Sequence, residues 1–247
     1  MAILNADPLG INNPAYAVSE SAYATAPHVM SRVGTQAFET DFIYPAYANN
    51  AVFPPWTVTN NSAGTPTYSN STSTADHPGI ALATGIGANT GCNILMPAAT
   101  FLPAGGEYSE LCFQLGVLAG SACYFGFLNS TTTAYAQPTV GAWINILAGV
   151  VSGSCGQASV TTTATTYTLT AATWYRATIA NNATNTGWTF SLYTAAIPPV
   201  LLWQQTVTLT PPTAALNHGV VQSNSTGSAA ILSIDYMAAG VTRALNR

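Results

Sequence analysis

From Gln36 onward the chain holds no long helical period. It runs as short apolar or threonine-rich stretches, each stopped within a few residues by a cluster of Gly, Pro, Asn or Thr. That punctuation specifies an all-β antiparallel fold, a sandwich or a barrel. Strands are expected at 37–44, 56–60, 79–84, 92–96, 110–118, 122–129, 142–150, 159–163, 174–181, 187–194, 201–209, 219–223 and 230–242. In Trp174-Tyr175-Arg176-Ala177-Thr178-Ile179 and Gly187-Trp188-Thr189-Phe190-Ser191-Leu192-Tyr193 large apolar groups recur at every second residue, so one face packs inward. The Asn- and Thr-rich segment 181–186 reads as their hairpin loop. In the last run Leu232, Ile234 and Tyr236 share a face and are expected to be buried together, while Ile231, Ser233 and Asp235 face the other way.

Residues 1–35 differ from this pattern. Pro8, Pro14 and Pro27 break them up, small residues lie between, and no period emerges. They are expected to form an extended N-terminal arm ordered by a neighbouring subunit or surface, and residues 36–247 a single sandwich domain.

Charge narrows the function classes. Four arginines, eight acids and no lysine give 5% charged residues and a net charge of -4, against about 25% charged residues in a typical soluble domain. The surface must then be built of Thr, Ser, Asn and Ala, a neutral hydrogen-bonding surface with little charge to desolvate under a partner. Four scattered arginines supply no basic stripe, so nucleic acid is not an expected partner. The uncharged run 111–128 is barely long enough to span a bilayer, and its Gly120-Ser121 break fits two buried strands and a turn instead, so no membrane partner is expected. The segment from Met1 to Pro8 lacks a basic n-region before an apolar run, which points to folding in a cytoplasm.

Candidate chemistry is sparse. Cys92, Cys112, Cys123 and Cys155 form no CxxC pair; they are expected as buried reduced thiols, and neither a metal nor a cofactor is implied. Sequon patterns at Asn60, Asn70, Asn129, Asn182 and Asn224 are chance matches in so Asn- and Thr-rich a chain. Glu39 with Asp41, and Glu107 with Glu110 on either side of a turn, are the only acid pairs a glycosidase could use, and they are expected to be solvated or arginine-paired. His28, His77 and His218 stand alone, far from any nucleophile elbow, and Asp76 alone cannot hold calcium. No catalytic residue is assigned. Trp174 and Trp188 are expected in the core; Trp56 after Pro54-Pro55, with Tyr44 and Tyr47, is expected to be exposed and to offer a ligand-binding surface.

The ordered motifs His77-Pro78-Gly79-Ile80-Ala81-Leu82-Ala83-Thr84-Gly85, Tyr124-Phe125-Gly126-Phe127-Leu128-Asn129, Thr173-Trp174-Tyr175-Arg176, Gly187-Trp188-Thr189-Phe190-Ser191-Leu192 and Ile234-Asp235-Tyr236 together resemble a group of tailed-phage virion proteins. Those proteins have a jelly-roll β-sandwich related to the concanavalin A and laminin G folds. The resemblance covers residues 37–247 and implies a non-enzymatic structural role on the exterior of a virion. A decoration protein that cements neighbouring subunits is the expectation, with the major capsid protein or other virion proteins as partners and a homo-oligomer, a trimer first, as its form. The alternative it implies is a tail fibre or spike module that recognises host glycan.

Overall fold

The computed structural model describes residues 35–40, 52–53, 56–60, 68–71, 79–83, 90–96, 101–129, 137–157, 160–208, 212–224 and 230–242. Among them every regular element is a strand: β1 (Thr35–Thr40), β2 (Val52–Phe53), β3 (Trp56–Asn60), β4 (Tyr68–Ser71), β5 (Gly79–Ala83), β6 (Gly91–Leu95), β7 (Glu107–Leu115), β8 (Ser121–Leu128), β9 (Gly141–Leu147), β10 (Val150–Gly156), β11 (Val160–Thr162), β12 (Tyr167–Thr168), β13 (Trp174–Asn181), β14 (Gly187–Thr194), β15 (Leu201–Thr208), β16 (Asn217–Asn224) and β17 (Ile231–Thr242). The arm expected at 1–35 lies almost wholly outside the described residues, as do Tyr44 and Tyr47.

Two antiparallel sheets stack face to face. The eight-stranded sheet runs β15-β14-β13-β7-β17-β5-β4 with β1 also on β17; the nine-stranded sheet runs β11-β10-β9-β8-β16-β6-β3-β2 with β12 also on β10. The order departs far from chain order, as it must when a chain winds back and forth between two sheets. Phe113, Phe125, Phe127, Ile144, Ile179, Trp188, Phe190 and Ile234, none more than 1% exposed, interdigitate between them.

Most expected strands are present, and the differences have local causes. The run 142–150 is not one strand but the end of one and the start of another, β9 and β10. Ala148 and Gly149 both take positive φ (49° and 81°) and so form a two-residue hairpin turn. In β17 an extra residue, Asp235, sits between the pairs Ile234↔Phe113 and Tyr236↔Cys112. A bulge exchanges faces beyond it. Leu232 and Ile234 point into the core as expected, Met237, Ala239 and Val241 take over from them, and Tyr236 turns to the opposite face against Cys112 and Ala238. The uncharged run 111–128 is β7 and β8 around a turn, in which Ser121 N–H donates to Leu118 O. Among the described residues no helix is long and apolar enough to cross a membrane.

Candidate functional site

A polar cluster lies between the sheets. His218 on β16 is fully buried, with Phe101, Phe125 and Phe127 around it at ring-centroid separations of 6.2, 5.8 and 5.4 Å. Trp56 Nε1 donates to His218 Nδ1 at 3.1 Å, and Ser109 Oγ lies 2.7 Å from Nε2. An indole nitrogen only donates, so Nδ1 is bare and the neutral ring carries its proton on Nε2, from which it donates to Ser109. Burial lowers the His218 pKa to about 3. A histidine in this tautomer cannot take the Ser109 proton, so the pair is a link between sheets and not a nucleophile with its base. The cluster also corrects the expectation that Trp56 is exposed: it is 0% exposed. Thr57 and Thr59 face outward beside Leu95 and Asn93, so strand alternation turns Trp56 into the core. Its indole offers no stacking face.

The acids are engaged as well. Glu107 and Glu110 do not flank a turn; both belong to β7, three residues apart and therefore on opposite faces. Glu107 accepts hydrogen bonds from Ala104 N–H (2.8 Å), Gly105 N–H (3.0 Å) and Asn181 Nδ2 (2.6 Å). Glu110 forms an ion pair with Arg176 and accepts from the Tyr108 hydroxyl at 2.7 Å. Burial and the neighbouring Glu110 push the Tyr108 phenol well up, and burial with Asp235 nearby does the same to the Cys112 thiol. Glu107, Glu110 and Asp235 are 1%, 1% and 3% exposed, and the Arg176 side chain 11%. No exposed charge is found among the described residues whose side chains are placed. Of the acids expected to be solvated or arginine-paired, Glu110 is paired with Arg176, Glu107 is buried without an arginine, and the side chains of Glu39 and Asp41 lie outside the described residues. Trp188 is core, as expected, whereas Trp174 is only half-buried and packs on the outer Cys112–Tyr236 cluster. All four cysteines are free and buried, and no group of residues fit to hold a metal ion occurs among the described residues.

The outer face of the nine-stranded sheet has a different chemistry. Ala142, Ile144 and Ile146 of β9 face the core, which turns Trp143 and Asn145 outward. Trp143 Nε1 donates to Asn145 Oδ1 at 2.7 Å; Asn145 Nδ2 donates to Ser154 Oγ at 2.5 Å, which lies 2.9 Å from Thr162 Oγ1. The ladder thus runs from a fully buried indole across β10 to an exposed hydroxyl on β11, with half-buried Ser152 beside it. On the same face Asn93 Oδ1 and Asn217 Oδ1 accept no hydrogen bond among the described residues. Between Leu95 and Trp143 the facing pair Gly219 and Gly126 leaves bare backbone across two strands, in a span of roughly 14 Å set by strand spacing. Both glycines have positive φ (156° and 140°), and a Cβ on Gly126 would strike Ala142 O and Ile179 Cδ1. This face is neutral: Trp143 and Tyr124 are buried (0% and 6% exposed) with Ala122, Leu128 and Val221, the amides of Asn93, Asn145 and Asn217 are buried beside them, and exposed Thr162 with half-buried Ser152, Thr57 and Thr59 brings hydroxyls toward water. Its sequence signal was available in the polar second face of 141–147, but abundant Asn, Ser and Thr elsewhere hid it.

Comparison with known proteins places this geometry. A family model described as SO2946-like, C-terminal domain, matches residues 76–235. The protein of unknown function SO2946 from Shewanella oneidensis MR-1 is similar in structure at a TM-score of 0.69 and 16% identity, over 95% of this chain and 96% of that one. Arcelin-5, a lectin-like defense protein from Phaseolus vulgaris, is similar at a TM-score of 0.57 and 8% identity, over 85% of this chain and 100% of that one. Bacillus licheniformis β-glucanase follows at 0.52 and 11%, over 82% of this chain and 97% of that one. No curated protein matches the sequence. The sandwich is a lectin-like jelly roll.

Proposed function

This chain belongs to the SO2946-like, C-terminal domain family, and we propose that its role is non-enzymatic recognition of a neutral, hydroxyl-rich glycan by the outer face of the nine-stranded sheet. One observation carries it: the uncharged Trp143–Asn145–Ser154–Thr162 ladder, whose first three members are 0%, 2% and 0% exposed, holds the exposed Thr162 in place at the surface beside half-buried Ser152. Neutral amides and hydroxyls match sugar hydroxyls at little desolvation cost, and specificity follows because an unmatched polar group on either side is penalised. Lectin-like neighbours support the proposal at the level of fold, and the internal engagement of Glu107 and Glu110 speaks against the hydrolysis that the glucanase performs. A glycan array followed by titration calorimetry tests it. Thr162→Val, which removes only the exposed hydroxyl, is expected to weaken binding about tenfold, or about 1.4 kcal/mol. Absence of binding to any neutral glycan overturns the proposal.

A virion location is the second proposal, favoured by the same uncharged surface, which suits broad contact with other subunits. On the outside of a phage shell, bound to the major capsid protein, the chain would approach that protein in copy number in purified particles. A handful of copies per particle would instead mark a fibre or spike module, with the glycan as its host receptor.

A further inference from the structure

We infer that β15 is a pairing edge at which a second copy of this chain joins the eight-stranded sheet. Among the described residues the sheets end at β4, β2, β11 with β12, β1 and β15: β4 has four residues, β2 two, β11 and β12 three and two, and β1, six residues long on β17, carries the charge of Glu39. The remaining edge is β15, with eight residues and neither a charge nor a proline, Leu-Leu-Trp-Gln-Gln-Thr-Val-Thr. Trp203 and Val207 anchor it in the core at 7% and 5% exposure, while Gln204, Thr206 and Thr208 are exposed. Its one irregularity is a register shift against β14 at Leu202, next to its start, and from Trp203 to Thr208 no bulge, charge or proline interrupts the edge among the described residues. Leu201 at its start and Ile197 and Val200 in the loop leading into it are 49%, 65% and 58% exposed, apolar side chains left uncovered next to the strand.

The occupant follows from self-complementarity. A two-fold axis perpendicular to the sheet and passing through Gln205 sets Trp203 opposite Val207 on the inner side and Gln204 opposite Thr206 on the outer side. Inner rows meet inner rows, so the two cores become continuous. Such pairing brings identical surfaces together, which is costly for most strands because like charges then face each other. Here no like charges meet on the strand. A charged partner, by contrast, would find nothing on β15 to match.

The mass in solution decides the matter and needs no glycan, so its outcome is independent of the function proposed above. Sedimentation equilibrium of the full chain is expected to give a dimer. The double variant Gln204→Lys with Thr206→Lys is expected to sediment as a monomer with an unchanged circular dichroism spectrum. Mixing it with Gln204→Glu/Thr206→Glu is expected to restore the dimer mass, which only pairing between these edges can do. As a second measurement, Gln204→Cys/Thr206→Cys adds exposed thiols to a chain whose own four are buried, and is expected to yield an interchain disulfide dimer on oxidation. A monomeric or trimeric wild-type chain overturns the inference, and so does a dimer that survives the lysines or fails to cross-link.

Discussion

Neutral His218 shows how a residue that stands alone in the sequence acquires its role in space. Trp56 and Ser109 reach it from sequence distances of 162 and 109 residues, and together they fix its tautomer. The sign of its effect on stability is definite. Its folded pKa, about 3, lies below the ordinary 6.5, so the unfolded chain binds a proton that the folded chain refuses. Stability from this group is complete above about pH 6.5 and falls as the pH drops toward 3. Between pH 7 and 4.5 the wild type is expected to lose about 2–3 kcal/mol more than His218→Gln, whose amide does not titrate. Urea unfolding at the two pH values measures it, and equal losses would remove His218 as the cause. The cysteines were more legible. Without pairing motifs they were expected to be buried and reduced, and they are; burial raises the thiols of Cys92, Cys123 and Cys155 to about 12. Trp56 was misread because a preceding Pro-Pro says nothing about which face of a strand the next residue takes.

At the level of elements, alternation located most strands, whereas turns and bulges escaped it. The β9–β10 hairpin turns on Ala148-Gly149 rather than on Asn-Gly or Asp-Gly, so its apolar run continued in sequence where the chain reverses in space. Asp235 adds one residue to β17 opposite β7, and a single extra residue changes the face of everything after it. Gly126 on β8 makes the same lesson measurable. Gly126→Ala forces a side chain into a positive-φ position against Ala142 O and Ile179 Cδ1, and is expected to cost at least about 3 kcal/mol from strain and overpacking together. Gly116→Ala serves as the control. Its Cβ would lie 3.8 Å from Ile231 O, an ordinary contact, and a change within about 0.5 kcal/mol is expected. Equal denaturation midpoints for the two variants would show that the Gly126 backbone is not constrained as described.

Across the whole molecule the scarcity of charge takes on a structural meaning. Glu110 and Arg176 neutralise each other on the outer side of the eight-stranded sheet, Glu107 ties Ala104 and Gly105 to Asn181, and Asp235 lies against Cys112 at the β17 bulge. What the described surface presents to water is Thr, Asn, Gln, Ala and a few aliphatic side chains. A neutral exterior supports both a glycan partner and a second copy, because neither must displace a hydration shell held by charge. Read alone, the chain already showed the fold class, the inward face of β14, the buried thiols and the lack of a basic field for nucleic acid. These depend on local period and composition, which a single chain displays directly. Folding in three dimensions was needed to show that Trp56, Ser109 and His218 meet, that Glu107 and Glu110 part, that Trp174 faces outward, that Tyr236 changes face and that β15 is the longest edge strand among the described residues. Those outcomes depend on register and sheet order, and long-range pairing sets both.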